Sequence, residues 1–95
     1  MNLSLEGKIA IVTGSSKGIG RATALALAEE GVDVTICSRG TADLEDAAAE
    51  IRAATGRQVL AIQADMSDPE AIKNLVAATV AEFGGVDILV NNAVN

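Results

Sequence analysis

Three glycines near the start of the chain have the spacing of a phosphate-binding turn. The segment TGSSKGIG, residues 13–20, places Gly14, Gly18 and Gly20 between an apolar run and an alanine-rich stretch. Gly14 permits a tight turn, Gly18 lets the backbone approach a pyrophosphate, and Gly20 lets a helix pack closely. The first N–H groups of that helix would face the phosphates, with its dipole behind them. A strand before and a helix after the turn favour this interpretation over a turn that binds no ligand.

The rest of the chain repeats the alternation of strand and helix that such a turn requires. Four apolar runs rich in β-branched residues predict strands buried on both faces, at residues 8–14, 33–38, 58–64 and 86–92. Helices are predicted between them, at residues 18–31, 41–56 and 67–85. The order β-α-β-α-β-α-β predicts an α/β fold with strand order 3-2-1-4. Residues 1–95 would then be one partial dinucleotide-binding domain, the amino-terminal part of a Rossmann-type doubly wound parallel sheet.

The predicted helix boundaries depend on capping residues. Thr41 is expected to be the N-cap of the second helix, and Gly56 its stop. In the third helix Ser67 and Glu70 match the S-x-x-E capping box, and Gly84 supplies the stop. The faces expected to be buried are Leu44, Ala47, Ala48, Ile51 and Ala54 in the second helix, and Ile72, Leu75, Val76, Thr79, Val80 and Phe83 in the third.

The glycine spacing excludes two known nucleotide-binding turns and resembles a third. No Lys-Ser or Lys-Thr follows the last glycine, as a P-loop requires, and G-x-x-x-G-x-G differs from the G-x-G-x-x-G of long-chain dehydrogenases. The pattern T-G-x-x-x-G-I-G resembles the short-chain dehydrogenase/reductase family. ADMSD at residues 64–68 resembles that family's D-[VL]-[ST] segment, and NNA at 91–93 its N-N-A-G motif, with Val94 replacing the glycine. The resemblance covers the whole chain and implies an oxidoreductase similar to the 3-oxoacyl-ACP reductases. Sugar, steroid and small-ketone reductases share the same features, and the substrate loop that separates these classes would lie beyond these residues.

The end of the second predicted strand indicates which nicotinamide cofactor fits. In NAD-binding Rossmann domains an acidic residue there binds the ribose hydroxyls. Here the position holds Ser38, followed by Arg39, and Lys17 lies in the glycine turn. A serine does not repel a 2′-phosphate, and the two cations would bind it unless they are ordinary solvated charges. The sequence therefore predicts NADP(H) over NAD(H), as in the NADP-preferring members of the family that the chain resembles.

The remaining site residues are implied by the resemblance alone. Asp65 is expected to accept from the adenine amino group, with the Met66 N–H beside the ring. Asn91 and Ala93 are expected along the adenosine ribose, whereas Thr13 and Asn92 would tie the first strand to the fourth. The full cofactor-binding prediction comprises Gly14, Ser16, Lys17, Gly18, Ile19, Gly20, Ser38, Arg39, Asp65, Met66, Asn91 and Ala93.

No catalytic residue is predicted in these 95 residues. Carbonyl reduction by NADPH needs a proton donor, a group that holds the carbonyl, and a cation that lowers the pKa of the donor. The family uses Tyr, Ser and Lys with an Asn on later elements, and this chain has no tyrosine. Two hypotheses stay open: the NADP(H)-binding portion of a reductase acting on a small carbonyl or alcohol, or an inactive nucleotide-binding or self-associating fragment. A phosphoacceptor receiver domain is disfavoured because the first strand ends in Thr13 and Gly14 rather than in acidic residues.

Composition and charge limit the other classes of protein. The chain is long enough for one small domain, and its net charge of −6 with only 7 scattered Lys and Arg argues against nucleic acid. Histidine is absent and Cys37 is the single cysteine, so no metal site or disulfide is predicted, and a buried thiol in a cytoplasmic protein is expected. No signal peptide or membrane span is predicted. A homo-oligomer is expected, and the fourth strand would be an uncovered edge.

Overall fold

A computed structural model describes residues 4–92, which form strands and helices in strict alternation. The elements are β1 (Ile9–Thr13), α1 (Gly18–Glu29), β2 (Asp33–Ser38), α2 (Thr41–Thr55), β3 (Val59–Gln63), α3 (Pro69–Phe83) and β4 (Ile88–Asn91). The predicted element order is confirmed, with boundaries that differ from the predicted ones by a few residues.

The four strands form one parallel sheet in the order β3-β2-β1-β4, as predicted. β1 lies inside the sheet, and its Ala10 is in register with Val34 of β2 and Ile88 of β4. Because all four strands run in the same direction, their carboxyl ends meet at one edge of the sheet. The turns and side chains singled out above follow those carboxyl ends, so the topology brings them to a common edge.

One side of the sheet, here called the two-helix face, is covered by α1 and α2. Alternate strand residues point to this side, and in β1 they are Ala10 and Val12. The core formed there is closed to solvent. Its buried members are Ala10, Val12, Ala24, Ala28, Val32, Val34, Ile36, Leu44, Ala47, Ala48, Ile51 and Val59. Alanines on the helices allow their backbones to approach the sheet and each other, which explains how the chain forms a dense core almost without aromatic residues.

The opposite side, here called the one-helix face, is covered by α3, which contacts β1 and β3. Its buried cluster is small: Ile11, Cys37 and Leu75, with Ile62, Ala64 and Met66 packed against them. Two fully buried hydroxyls lie on the same face, with Thr35 Oγ1 and Thr79 Oγ1 2.8 Å apart. Cys37 is a free thiol, buried as predicted, and burial raises the pKa of that thiol.

The prediction for the buried side of α3 is wrong for half of its residues. Leu75 and Thr79 are buried, whereas Ile72, Val76 and Val80 are 48 %, 37 % and 45 % exposed. Two rows of residues spaced by four run along the helix, and the sheet contacts the row that includes Leu75 and Thr79. The other row, from Ile72 to Val80, is displaced from the first by one residue and faces away from the sheet. In α2 the same prediction holds except for Ala54, which is exposed.

The predicted starts of α2 and α3 are also corrected, while their stops are confirmed; α1 begins at Gly18 as predicted but ends at Glu29, before the predicted stop at residue 31. Pro69 is the first residue of α3, so the N-cap is Asp68, whose carboxylate accepts from the Glu70 N–H at 3.0 Å. Ser67 therefore does not form the capping box. The N-cap of α2 is Gly40 rather than Thr41, and no side chain caps that helix. Gly56 and Gly84 end α2 and α3 in the left-handed conformation, with φ of 69° and 96°.

Nothing between residues 4 and 92 resembles a membrane span, since none of these helices has the necessary length and apolar character.

Candidate functional site

The carboxyl edge of the sheet brings the predicted site residues together. The glycine turn follows β1, Ser38 ends β2 with Arg39 directly after it, Asp65 and Met66 follow β3, and Asn91 ends β4. β2 and β4 are the two neighbours of β1, so the residues at the end of β2 lie on one side of the glycine turn and Asn91 of β4 lies on the other. Ala93, also predicted here, lies outside the described residues, as does Val94.

The backbone of the glycine turn requires glycine for two separate reasons. Gly14 and Gly18 have φ of 59° and 57°, a left-handed conformation that residues with a side chain rarely adopt. Gly20 has no room for a side chain, because a Cβ placed there would lie 2.1 Å from the Gly14 carbonyl oxygen. Gly20 thus permits close packing, as predicted. The group that it packs against is the Gly14 carbonyl, which belongs to the turn itself.

Ser15 anchors the turn to β2, a role that the sequence analysis missed. Its side chain is fully buried, and its Oγ accepts from the Cys37 N–H at 3.0 Å and donates to the Val12 carbonyl at 2.7 Å. Its own N–H donates to the Cys37 carbonyl at 3.1 Å. The end of β1, the turn and the end of β2 are therefore held as one unit. A small hydroxyl residue directly after the first glycine was the available signal.

The start of α1 presents backbone N–H groups without protein acceptors. Lys17 is the N-cap, and no side chain caps the helix. Within residues 4–92, the N–H groups of Gly18, Ile19 and Gly20 donate to no backbone or side-chain acceptor. The Ile19 side chain is 78 % exposed, so this end of the helix is open to solvent. Free N–H groups and the positive end of the helix dipole favour an anion at this point.

The two cations that were predicted for this edge, Lys17 in the turn and Arg39 after β2, have distinct environments. Lys17 Nζ is 3.3 Å from Asp43 Oδ2 in the first turn of α2, an exposed ion pair. Arg39 is exposed, and its carbonyl accepts from Gln63 Nε2 at 2.9 Å, which ties it to β3. The Ser38 hydroxyl donates to the Gly40 carbonyl at 2.9 Å. The edge of β2 therefore carries a cationic side chain and a neutral hydroxyl, with no carboxylate at the Ser38 position.

Acidic residues of α2 form further contacts with the start of α1 that the sequence analysis missed. Asp43, Asp46 and Glu50 lie on one side of α2, spaced by three and four residues. Lys17 and Arg21, four residues apart, face them, and Arg21 contacts both Asp46 and Glu50. These two carboxylates raise the pKa of Arg21. Matching charges at helical spacing were visible in the sequence, but only if the two helices were already known to be neighbours.

Asp65 is held in a defined orientation beside a small cavity. Its Oδ1 accepts from the Ser67 N–H at 2.9 Å and from the Ser67 hydroxyl at 2.7 Å. These hydrogen bonds, with a smaller contribution from the positive charge of Arg39, lower the pKa of Asp65, so the group is an acceptor at neutral pH. The cavity of about 190 Å³ beside it is lined by residues at the end of β3 and the start of α3, including Ala64 and Asp68.

The end of β4 is joined to β1 by a side chain, as predicted for Thr13 and Asn92. The Thr13 hydroxyl lies 3.0 Å from Asn91 Oδ1 and accepts from the Asn92 N–H at 3.0 Å. Thr13 and Asn91 are also partners in the strand register. This contact fixes the position of β4 relative to the glycine turn.

A wider depression of about 610 Å³ lies at the amino end of the sheet, away from these residues. Its lining includes Glu6, Glu29 and Glu30 together with Arg57. Three carboxylates repel a phosphate, so the chemistry of the carboxyl edge, rather than the size of this depression, identifies the candidate site.

Comparison with known proteins shows which family the chain resembles. Residues 8–94 match the family described as short chain dehydrogenase. A 3-oxoacyl-[acyl-carrier-protein] reductase of Staphylococcus epidermidis is 45 % identical over 86 residues, which are 90 % of this chain and 35 % of the reductase.

Two solved structures with bound cofactors have the same fold. L-Sorbose reductase from Gluconobacter frateurii, complexed with NADPH and L-sorbose, superposes with a TM-score of 0.96 at 39 % identity, covering 100 % of this chain and 36 % of that one. NAD+-bound xylitol dehydrogenase superposes with a TM-score of 0.90 at 37 % identity, covering 96 % and 35 %. The chain thus spans about a third of the length of the relatives it matches.

Proposed function

The chain belongs to the short-chain dehydrogenase family, and we propose that it binds NADP(H) as the cofactor-binding portion of an oxidoreductase. That oxidoreductase would transfer hydride between NADPH and a small carbonyl or alcohol substrate. The observation that carries the proposal is the glycine turn, with free N–H groups at the start of α1 and two cations beside a serine at the end of β2. The bound nicotinamide would supply the hydride chemistry.

The turn is proposed to bind the pyrophosphate through its backbone. Ser16 and Ile19 would contribute main-chain atoms, and the three glycines would leave the phosphates room to approach. The cofactor preference is proposed to depend on Ser38 at the end of β2 and on two nearby cations. Lys17 and Arg39 would bind the 2′-phosphate beside Ser38, and Lys17 would exchange the Asp43 carboxylate for the phosphate.

The other end of the edge is proposed to hold the adenosine. Asp65 is ionised and fixed by Ser67, so it can accept from the adenine amino group, with the Met66 N–H beside the ring. Asn91 and Ala93 are proposed to lie along the ribose. We assign no catalytic residue to the chain, because it contains no tyrosine to protonate a developing alkoxide.

Paired titration of NADP+ and NAD+ by calorimetry tests the proposal. We expect NADP+ to bind about tenfold more tightly, and Arg39→Met to remove most of that difference, since a hydrogen bond between charged groups contributes about 1.5–3 kcal/mol. Lys73→Met is the matched control, because Lys73 is an exposed cation on α3, on the other side of the sheet. Equal affinities for the two cofactors, or tighter NAD+, would refute the NADP(H) assignment.

A second candidate is an inactive nucleotide-binding or self-associating protein, and the uncovered β4 favours it. β4 pairs only with β1 among the described strands, and its Leu89 is 58 % exposed. Sedimentation measures self-association, and NADPH oxidation at 340 nm with a panel of ketones measures turnover. Ketone-dependent oxidation by these 95 residues would contradict our view that they contain no catalytic group.

We also propose a homo-oligomer in the reducing cytoplasm, consistent with the free Cys37.

A further inference from the structure

The side chain of Arg21 joins the glycine turn to α2 through three hydrogen bonds. Its Nε donates to Glu50 Oε1 at 2.8 Å, and its Nη2 donates to Asp46 Oδ2 at 3.1 Å. Its Nη1 donates to the Ser16 carbonyl oxygen at 3.3 Å. The Arg21 side chain as a whole is partly buried, with 25 % of it exposed. It is therefore fixed against α2 by two carboxylates while it holds a carbonyl of the turn.

Fixing that carbonyl also fixes an N–H group. A peptide unit is planar and trans, so its C=O and its N–H point in opposite directions. The Ser16 carbonyl and the Lys17 N–H belong to the same unit. With the carbonyl held toward Arg21, the Lys17 N–H points away from α2, and within residues 4–92 it donates to no protein acceptor.

We propose that Arg21 is a positioning residue that orients the peptide between Ser16 and Lys17 for anion binding by the turn. The Lys17 N–H then joins those at the start of α1 in facing a pyrophosphate. Without Arg21 this peptide could rotate, and rotation would turn a carbonyl oxygen, which repels phosphate, toward the ligand. The inference rests on the proposed function and deepens it, because it names the group that prepares the turn for the pyrophosphate.

The simpler role for Arg21 is to tie α1 to α2, and the ligand comparison separates the two roles. NADP+ carries a pyrophosphate, whereas 2′-AMP carries the adenosine and a 2′-phosphate without one. Arg21→Lys keeps the charge but loses the planar fork that reaches three acceptors. We expect this substitution to raise the Kd of NADP+ about tenfold, the scale of one lost hydrogen bond to a charged group, and that of 2′-AMP less than twofold.

Arg52→Lys is the matched control for a lost contact between arginine and a carbonyl. Arg52 Nη2 donates to the Val59 carbonyl at 2.6 Å, and it ties α2 to β3 at the amino end of the sheet. We expect this control to lower stability and leave both Kd values within twofold. For Arg21→Lys, a parallel rise in both Kd values, or no rise in either, would overturn the positioning role.

Failure of the proposed function is seen in the unsubstituted chain and is therefore distinct. If that chain binds neither NADP+ nor NAD+, the proposed function and this inference both fail. If it prefers NAD+, the NADP(H) assignment alone fails. The effect of Arg21→Lys is then measured with NAD+, which carries a pyrophosphate, and with adenosine, which does not. We again expect the Kd of the ligand with the pyrophosphate to rise about tenfold and the other Kd to change less than twofold.

Discussion

The two faces of the sheet differ in how completely helices cover them. On the two-helix face, α1 and α2 close a core that reaches from β3 to the inner side of β4. On the one-helix face, α3 buries a small cluster and leaves its own outer row, with Leu89 of β4, open to solvent. The same sheet thus has a dense side and a sparse side.

The difference shows which part of the molecule can hold a precise site. The glycine turn runs from β1 into α1, a helix of the two-helix face, and α2 fixes the turn through Lys17 and Arg21. The turn that we propose to bind the pyrophosphate therefore lies on the densely packed side. The one-helix face contributes the loop of Asp65, which its own hydrogen bonds to Ser67 hold in place.

The largest expected effect compares two isoleucines that lie on helices of opposite faces. Ile51 in α2 is fully buried, whereas Ile72 in α3 is about half exposed. We expect Ile51→Ala to lower the free energy of unfolding by about 2–5 kcal/mol through lost burial and a cavity. We expect Ile72→Ala to lower it by less than about 1 kcal/mol. Urea unfolding measures both, and equal losses would mean that the outer row of α3 is covered in solution.

A smaller effect is expected at the paired hydroxyls of the one-helix face. Thr79 Oγ1 donates its single proton to the Leu75 carbonyl at 2.8 Å, so Thr35 must donate to Thr79. Thr79→Val would leave the buried Thr35 hydroxyl without a partner and cost about 1–3 kcal/mol, whereas Thr35→Val leaves Thr79 satisfied and costs less. The double substitution should be close to neutral. A cycle of urea unfolding measurements tests this order, which additive losses would contradict.

The smallest effect concerns thiol access from the two faces. Cys37 lies on the one-helix face, and a Cys37→Ala, Val34→Cys variant moves the thiol to the two-helix face, where Val34 is equally buried. We expect a thiol reagent to modify Cys37 about tenfold faster than it modifies the cysteine introduced at position 34. This ratio corresponds to a free energy of opening that is about 1.4 kcal/mol lower for the one-helix face. Equal rates, limited by global unfolding, would show that the two faces open together.

Stability should also depend on the ionisation of Cys37 at alkaline pH. Burial raises the pKa of this thiol in the folded chain, so the folded state holds the proton more tightly than the unfolded state does. The resulting stabilisation is fully present below the unfolded pKa, about 8.5, and is lost as the pH rises through the folded value. Cys37→Ala should remove this part of the loss of stability at alkaline pH, which urea unfolding at several pH values measures.

Much of the fold could be predicted because it depends on local patterns. Continuous β-branched runs that alternate with helices predict a parallel sheet, and the order 3-2-1-4 is that of the doubly wound Rossmann-type sheet. Gly56 and Gly84 were predicted as stops because a left-handed residue at a helix end favours glycine wherever it occurs. The position of the glycine turn was predictable for the same reason.

The helix starts and the orientation of α3 were predicted less well, because each depends on a competition between neighbours. Asp68 replaces Ser67 as the cap, since Pro69 is the first helical residue and Asp65 already accepts from Ser67. The two rows of α3 have the same spacing, and the more apolar row, which includes Ile72 and Val80, is the one left exposed. Periodicity identifies a helix with apolar rows but does not say which row meets the sheet.

Residue order alone therefore determines where the backbone must turn and where α2 and α3 end, because these follow from the conformational preferences of residues adjacent in the chain. Packing decides which side chains support the turn. Ser15 reaches Cys37, and Arg21 reaches Glu50, across gaps of 22 and 29 residues. Such contacts form only when α1, α2 and the strands take their places, since a hydrogen bond needs its two atoms within about 3 Å.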